Sequence, residues 1–291
     1  MPLSNRTVLM SDALNFSNEQ AINPYYGENG VSTVTAQAEH DGIRAALINA
    51  GVEVIQAPSP VDSQDGVYTA NWALVRGDTA VLASLPTVRK AEEEHAAKVL
   101  ETLGKTIVRV PAGLHFSGQG DALPCGDFLF CGQGYRSDLA AQKFAAETLG
   151  FERIQLQTVP ELNEAGTPVI NSVSGWADSF FYDIDLALAI IRHPSESQRG
   201  LIAYCPEAFT LESQEILANF TEVDKILVTF EEATQAFATN LVSTGETVVM
   251  SDNAPLLRTA LEEQGLTVLT PHVEELAKGG GYIRCTTLSI G

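Results

Sequence analysis

Four polar side chains stand where the surrounding sequence is apolar, and one of them is a thiol. Cys285 lies in "GGGYIRCTT" (279–287), Asn71 in "QDGVYTANWALV" (64–75), Asp121 in "FSGQGDALPCG" (116–126) and Asp185 in "FFYDIDLALAII" (180–191). A cysteine in a short apolar stretch is ordinarily a small core residue. As a thiolate it is also a nucleophile, able to divide one difficult displacement into two easier steps. The three glycines upstream permit close backbone approach and unusual dihedral angles. Each of the other three residues needs hydrogen-bond partners if its strand faces the core. Four at matching places point to one shared cavity.

The elements that must position them repeat along the chain. Helical spacing occupies 35–51, 88–104, 137–150, 209–220 and 253–265, and four of these segments end near a glycine suited to a C-cap. Each leads within a few residues to a β-branched run: "VEVIQAP", "TIVRVP", "RIQLQTVP", "KILVTF" and "TVLTPH". Between these units lie hairpin-like stretches with a polar turn, such as "GVYTANWALVRGDTAVLAS" and "ATNLVSTGETVVMSD". A last pairing, of "YIRCTTLSI" with the N-terminal "RTVLMSD", closes a ring. A period of this length belongs to arrays and propellers. A doubly wound sheet expects one strand per helix, whereas two or three strands separate successive helices here. The expectation is a five-bladed pseudo-symmetric α/β propeller forming one domain over 1–291, with a polar pocket where strand ends converge.

Composition narrows the function. The chain of 291 residues carries 17 basic against 37 acidic side chains, a formal charge of −20. Such a field repels phosphate backbones and anionic lipid, so neither nucleic acid nor a membrane is an expected partner. The longest apolar run, "LALAII", is far too short for a bilayer core of ~30 Å, and the N-terminus lacks the apolar region of a signal peptide. A cytoplasmic protein is expected. Its four cysteines (Cys125, Cys131, Cys205, Cys285) and five scattered histidines show no metal-ligand spacing, and the thiols read as free. The GxG patterns at 118–120 and 132–134 lack the context of a dinucleotide site, so no cofactor is expected. His193, in "RHPSESQ", reads as exposed, and Trp72 and Trp176 as packing residues.

The ordered motifs "QDGVYTAN", "FSGQGDAL", "GQGYRSD", "FYDIDLAL" and "GGGYIRCTT" resemble those of the guanidino-modifying, or pentein, superfamily over the whole chain. That superfamily comprises arginine deiminases, dimethylarginine dimethylaminohydrolases, arginine dihydrolases and amidinotransferases. The resemblance implies that Cys285 attacks a guanidinium carbon to form a covalent amidino-thioether. Water resolves that intermediate in hydrolases, an acceptor amine in amidinotransferases. It further implies that Asp185 holds two guanidinium N–H groups in a fork. Asn71 falls where arginine dihydrolases carry asparagine, Asp65 matches a substrate-contacting aspartate, and Arg136 lies in a motif that holds the substrate's α-carboxylate. Asp121 reads equally as a turn cap or a site residue.

Two departures bear on the chemistry. The family's histidine, its general acid and base, is Asp183 here, and its second guanidinium anchor, a glutamate, is Ser117. Three readings follow. The substrate is a neutral ureido compound; or Asp183 is itself the acid–base group, its pKa raised by burial and by Asp185; or His115, two residues before Ser117, leans into the cavity. The expected function is a cysteine-dependent hydrolase of a C–N bond in a guanidino or ureido amino acid. Cys285 and Asp183 are catalytic, and Asp185, Asn71, Asp65, Ser117, Asp121 and Arg136 bind substrate. An amidinotransferase and an inactive ligand-binding relative are the alternatives, with homo-oligomerisation left open.

Overall fold

The computed structural model describes residues 4–23, 26, 30–172 and 175–291. Strand β1 (Thr7–Met10) leads through helix α1 (Thr33–Asn49) to β2 (Glu53–Gln56), which lies parallel to it. The second unit is β3 (Ala73–Arg76), β4 (Thr79–Leu82), α2 (Lys90–Thr102) and β5 (Thr106–Arg109). The third is β6 (Ala122–Cys125), β7 (Phe128–Gln133), α3 (Leu139–Leu149) and β8 (Glu152–Gln157). The fourth is β9 (Leu188–Arg192), β10 (Gly200–Tyr204), α4 (Leu211–Asn219) and β11 (Val223–Leu227). A short α5 (Phe230–Ala236) precedes the fifth: β12 (Val242–Ser243), β13 (Thr247–Val249), α6 (Pro255–Glu263) and β14 (Thr267–Leu269). Finally β15 (Leu288–Ser289) pairs antiparallel with β1, so the end of the chain completes the first sheet.

Four of the five three-stranded sheets repeat one plan, an antiparallel hairpin and then a helical crossover to a parallel outer strand; in the first sheet β15 and β1 supply the antiparallel pair. This is the α/β propeller, the pentein fold, that the sequence pattern predicts. The first strands adjoin one another from unit to unit, β6 beside β9, β9 beside β12 and β15 beside β3, and so surround the central axis. The helices wrap the outside. Leu47 of α1, Leu100 of α2, Leu217 of α4 and Leu261 of α6 are fully buried against the sheets, and burying each side chain contributes ~1.5–3 kcal/mol. Gly51, Gly104, Gly150 and Gly265, just past four of the helices, all take positive φ, as C-caps require.

Two details differ from the sequence reading. Helix α5 was not anticipated, because "FEEATQA" is only seven residues long. Its N-cap Thr229 accepts from the Glu232 N–H, and the Glu232 carboxylate accepts the first N–H groups of α6, from Leu256 and Leu257. The polar residues expected within strands lie instead in tight turns just before them. Asn71 lies in a 3₁₀ turn before β3, Asp121 follows one before β6, Asp185 lies in one before β9, and Cys285 lies in a turn before β15. The backbones crowd near the axis: a Cβ on Gly118 would fall within 3 Å of the Ala70 and Ala73 carbonyl oxygens. Those turns bring Asn71, Asp185 and Cys285 together near the axis and set Asp121 against the turn that carries Asp185, which the two-fold alternation of a strand could not do.

Candidate active site

Cys285 is buried at the axis. The turn 282–287 places its carbonyl where the Ala70 N–H donates to it at 3.0 Å, tying the last unit to the Asn71 turn. Asn240 grips the cysteine from both ends. Its Nδ2 donates to Sγ at 3.2 Å, and its Oδ1 accepts from the Cys285 N–H at 3.1 Å. The backbone contact fixes the amide orientation, so the sulfur always faces a donor. On the other side, Sγ lies 3.5 Å from Asp185 Oδ2. Burial, and then the Asp185 charge, push the thiol well above its ordinary range, while the Tyr282 backbone and the Asn240 amide pull it down. Asp185 is pushed up to about 8, first by burial and then by Asp183, with Arg284 opposing. Both shifts favour the protonated, neutral forms of the thiol and the carboxyl.

Asn71 faces Cys285 across a small cavity. Arg89 donates to its Oδ1 at 2.9 Å, which directs Nδ2 toward Asp183 Oδ2 (2.9 Å) and Ser117 Oγ (2.9 Å). Arg89 is buried in a forked pair with Glu92, with distances of 2.8 and 2.6 Å, and so anchors Asn71 rigidly. Arg136 Nη1 lies 3.6 Å from Asp183 Oδ2, its guanidinium stacked 3.9 Å over the Tyr182 ring. Asp65 accepts the Tyr26 hydroxyl on both oxygens, at 2.7 and 2.8 Å. Asp121 Oδ1 accepts from the Ile184 N–H at 3.1 Å, bracing the turn that carries Asp183 and Asp185. Gly120 leaves the room this needs: a Cβ there would fall within 3 Å of Asn71 Nδ2 and Asp183 Oδ2.

The glycine run has a steric explanation. A Cβ on Gly279 would strike the Tyr68 hydroxyl, one on Gly280 would strike the Asn23 amide, and one on Gly281 the Tyr68 ring, each inside 3 Å. Only Gly280 takes a left-handed φ, +80°; the other two serve close packing. The loop before them hangs on Glu39, whose carboxylate accepts the N–H groups of Glu274, Glu275 and Leu276 at 2.9–3.0 Å.

The cavity is small, and Ile22, Asn23 and Tyr26 form part of its wall. Asp65, Asn71, Arg136 and Cys285 line it, and Asp183 and Asp185 lie directly behind these residues. Ser117 and Asp121 stand further back as supports, not as cavity walls. His115 is not in the cavity. Phe116 turns into the core beside it, and the half-buried imidazole packs on Trp176 and faces Asp138 at 3.3 Å. His193 is half-buried rather than exposed. Cys125, Cys131 and Cys205 are free and buried. Asn240 is the residue that sequence reasoning missed. Its signal is the likeness of "ATNLVS" to "TANWALV", each with asparagine two residues before a first strand.

The five-unit ring with a gripped cysteine at its axis defines a pentein-type protein. The chain belongs to the N,N dimethylarginine dimethylhydrolase family described from eukaryotes, whose model matches residues 13–291. The N(G),N(G)-dimethylarginine dimethylaminohydrolase of Mycobacterium tuberculosis is 30% identical over 98% of this chain and 86% of its own length. The bifunctional arginine dihydrolase/ornithine cyclodeaminase AgrE of Nostoc is 29% identical over 78% of this chain, a match that spans only 29% of that longer protein. Among solved structures, the substrate-bound N-terminal domain of the cyanobacterial arginine dihydrolase ArgZ superposes with a TM-score of 0.84 at 25% identity, covering 98% and 97% of the two chains. No helix among the described residues is long and apolar enough to cross a membrane.

Proposed function

We propose that the protein hydrolyses a C–N bond in a guanidino or ureido amino acid through a covalent intermediate on Cys285. The observation that carries this reading is the sulfur held between an amide donor and a carboxyl at a small polar cavity. Buried beside it, Arg136 Nη2 and Asp183 Oδ1 have no hydrogen-bond partner among the described residues. Unsatisfied buried polar atoms of both signs await a ligand with donors and an acceptor. Asp183 Oδ1 meets head-group N–H, and Arg136 Nη2 meets a substrate carboxylate. A cationic head group beside the thiol–carboxyl pair favours the Asp185 carboxylate, whose own proton leaves to solvent as substrate binds. The thiol proton then passes to Asp185 and on to the departing nitrogen as the C–S bond forms and the C–N bond breaks. Asp185, being in contact with sulfur, takes the acid–base role here; Asp183, held by Asn71 and Arg136, binds the head group. Residues 1–291 act as one domain around this site. Four free cysteines support a reducing, cytoplasmic setting.

Intact-protein mass spectrometry after incubation with arginine, methylated arginines, agmatine, guanidinoacetate and citrulline tests the proposal, with ammonia and urea assayed alongside. A product or a Cys285 adduct is expected, and both should vanish in Cys285→Ser. Ligand-induced thermal stabilisation without product or adduct across the panel would refute hydrolysis.

A further inference from the structure

A second, larger cavity opens at the other end of the axis. The first strands show that it is the opposite end: they start at Asn71, Asp121, Asp185 and Cys285 and run toward hairpin turns, and the turns at 76–77 and 124–126 line this rear vestibule. A hydrogen-bonded partition separates it from the sulfur. Arg284 donates to the Thr287 carbonyl (2.7 Å) and to Gln119 Oε1 (2.8 Å), and Gln119 Nε2 donates to the Ser289 carbonyl (2.9 Å). Asp185 borders the vestibule within this partition and also touches Sγ.

We propose that the water consumed in hydrolysis reaches the covalent intermediate from the rear vestibule, past Asp185, rather than through the substrate cavity. The inference rests on the hydrolase reading above. The substrate cavity is small, and after the first step the remainder of the substrate stays bonded to sulfur and occupies it. The vestibule is large enough to hold water, and Gln119, Asp185, Thr239, Arg284 and Ser289 supply polar groups to its walls. At its floor Asp185 Oδ1 is buried without a partner among the described residues. The water oxygen bonds to the carbon that carries sulfur while one of its protons moves to Asp185. Collapse then breaks the C–S bond and returns the thiolate, which regains a proton from Asp185. The second water proton leaves to solvent. A carboxyl titrating near neutrality suits this exchange, and Asp185 is pushed up to about 8.

Narrowing the vestibule tests the route. Ile190 and Ser289 line it and are not among the residues that line the substrate cavity. In Ile190→Trp and Ser289→Trp, the adduct should form at the wild-type rate in quenched-flow mass spectrometry. Its decay should slow by about tenfold or more, so the adduct accumulates, while Ser289→Ala decays normally. To remove dependence on folding, Ser289→Cys can be plugged after folding with a bulky disulfide reagent and reopened with reductant. Adduct decay unchanged by the plug would overturn the rear route. Absence of any adduct in the wild-type protein would count against the hydrolase reading instead.

Discussion

Asn240→Ala isolates what the amide does for the Cys285 thiol. In the native site Nδ2 donates to Sγ at 3.2 Å, and the substitution removes that donor while leaving Asp185 at 3.5 Å. A hydrogen bond to an ionised group contributes ~1.5–3 kcal/mol, and one pKa unit corresponds to ~1.4 kcal/mol. The Cys285 thiol, already raised by burial and by Asp185, should therefore rise by about 1–2 further units. The thiolate fraction at a fixed pH below it falls about 10–100-fold, and kcat/KM follows. Asn240→Asp keeps an acceptor for the Cys285 N–H but loses the donor and adds a charge, so its shift should be the larger. Alkylation of Cys285 by iodoacetamide, followed by mass spectrometry across pH 6–11, reads the titration directly and needs no substrate. An unchanged profile in Asn240→Ala would show that the amide only positions backbone.

Two further perturbations have signs fixed by the structure. Arg136→Lys keeps the charge but loses the planar fork stacked on Tyr182. It should weaken arginine about tenfold or more by calorimetry and leave agmatine, which has no carboxylate, unchanged; equal losses for both would remove Arg136 from carboxylate binding. His40 is buried with neither ring nitrogen partnered among the described residues, and burial pushes it down to about 4. The unfolded chain then binds a proton between pH ~6.5 and about 4 that the folded chain refuses, so stability is full above that window. As pH falls through it, roughly 3 kcal/mol should be lost. His40→Phe should flatten the urea-midpoint profile between pH 7 and 4.5, and an unaltered profile would place the acid-sensitive step elsewhere.

Why the sequence revealed the propeller but not all of its centre follows from how each is encoded. The blades are written in local periodicities: helix spacing closed by Gly51, Gly104, Gly150 and Gly265, then a β-branched run, five times over. Each signal is local and repeats, so one weak unit is supported by the other four. The centre depends on contacts between residues far apart in the chain, such as Asn240 with Cys285 or Asn71 with Asp183. Asn71 could be singled out because a motif surrounds it. Asn240, at the corresponding place in the fifth unit, sits in a two-strand hairpin with no motif of its own. Its pairing with the cysteine exists only because the ring closes through β15 on β1. Ser117 and Asp121 show the converse. Their motif marks the axis, yet the 3₁₀ turn directs them at Asn71 and at the Ile184 N–H rather than at the cavity. The substitution of Asp183 for histidine thus takes effect beside a second carboxyl, Asp185, that already contacts the sulfur. In the proposed mechanism Asp185 carries the proton, so transfer there needs no imidazole.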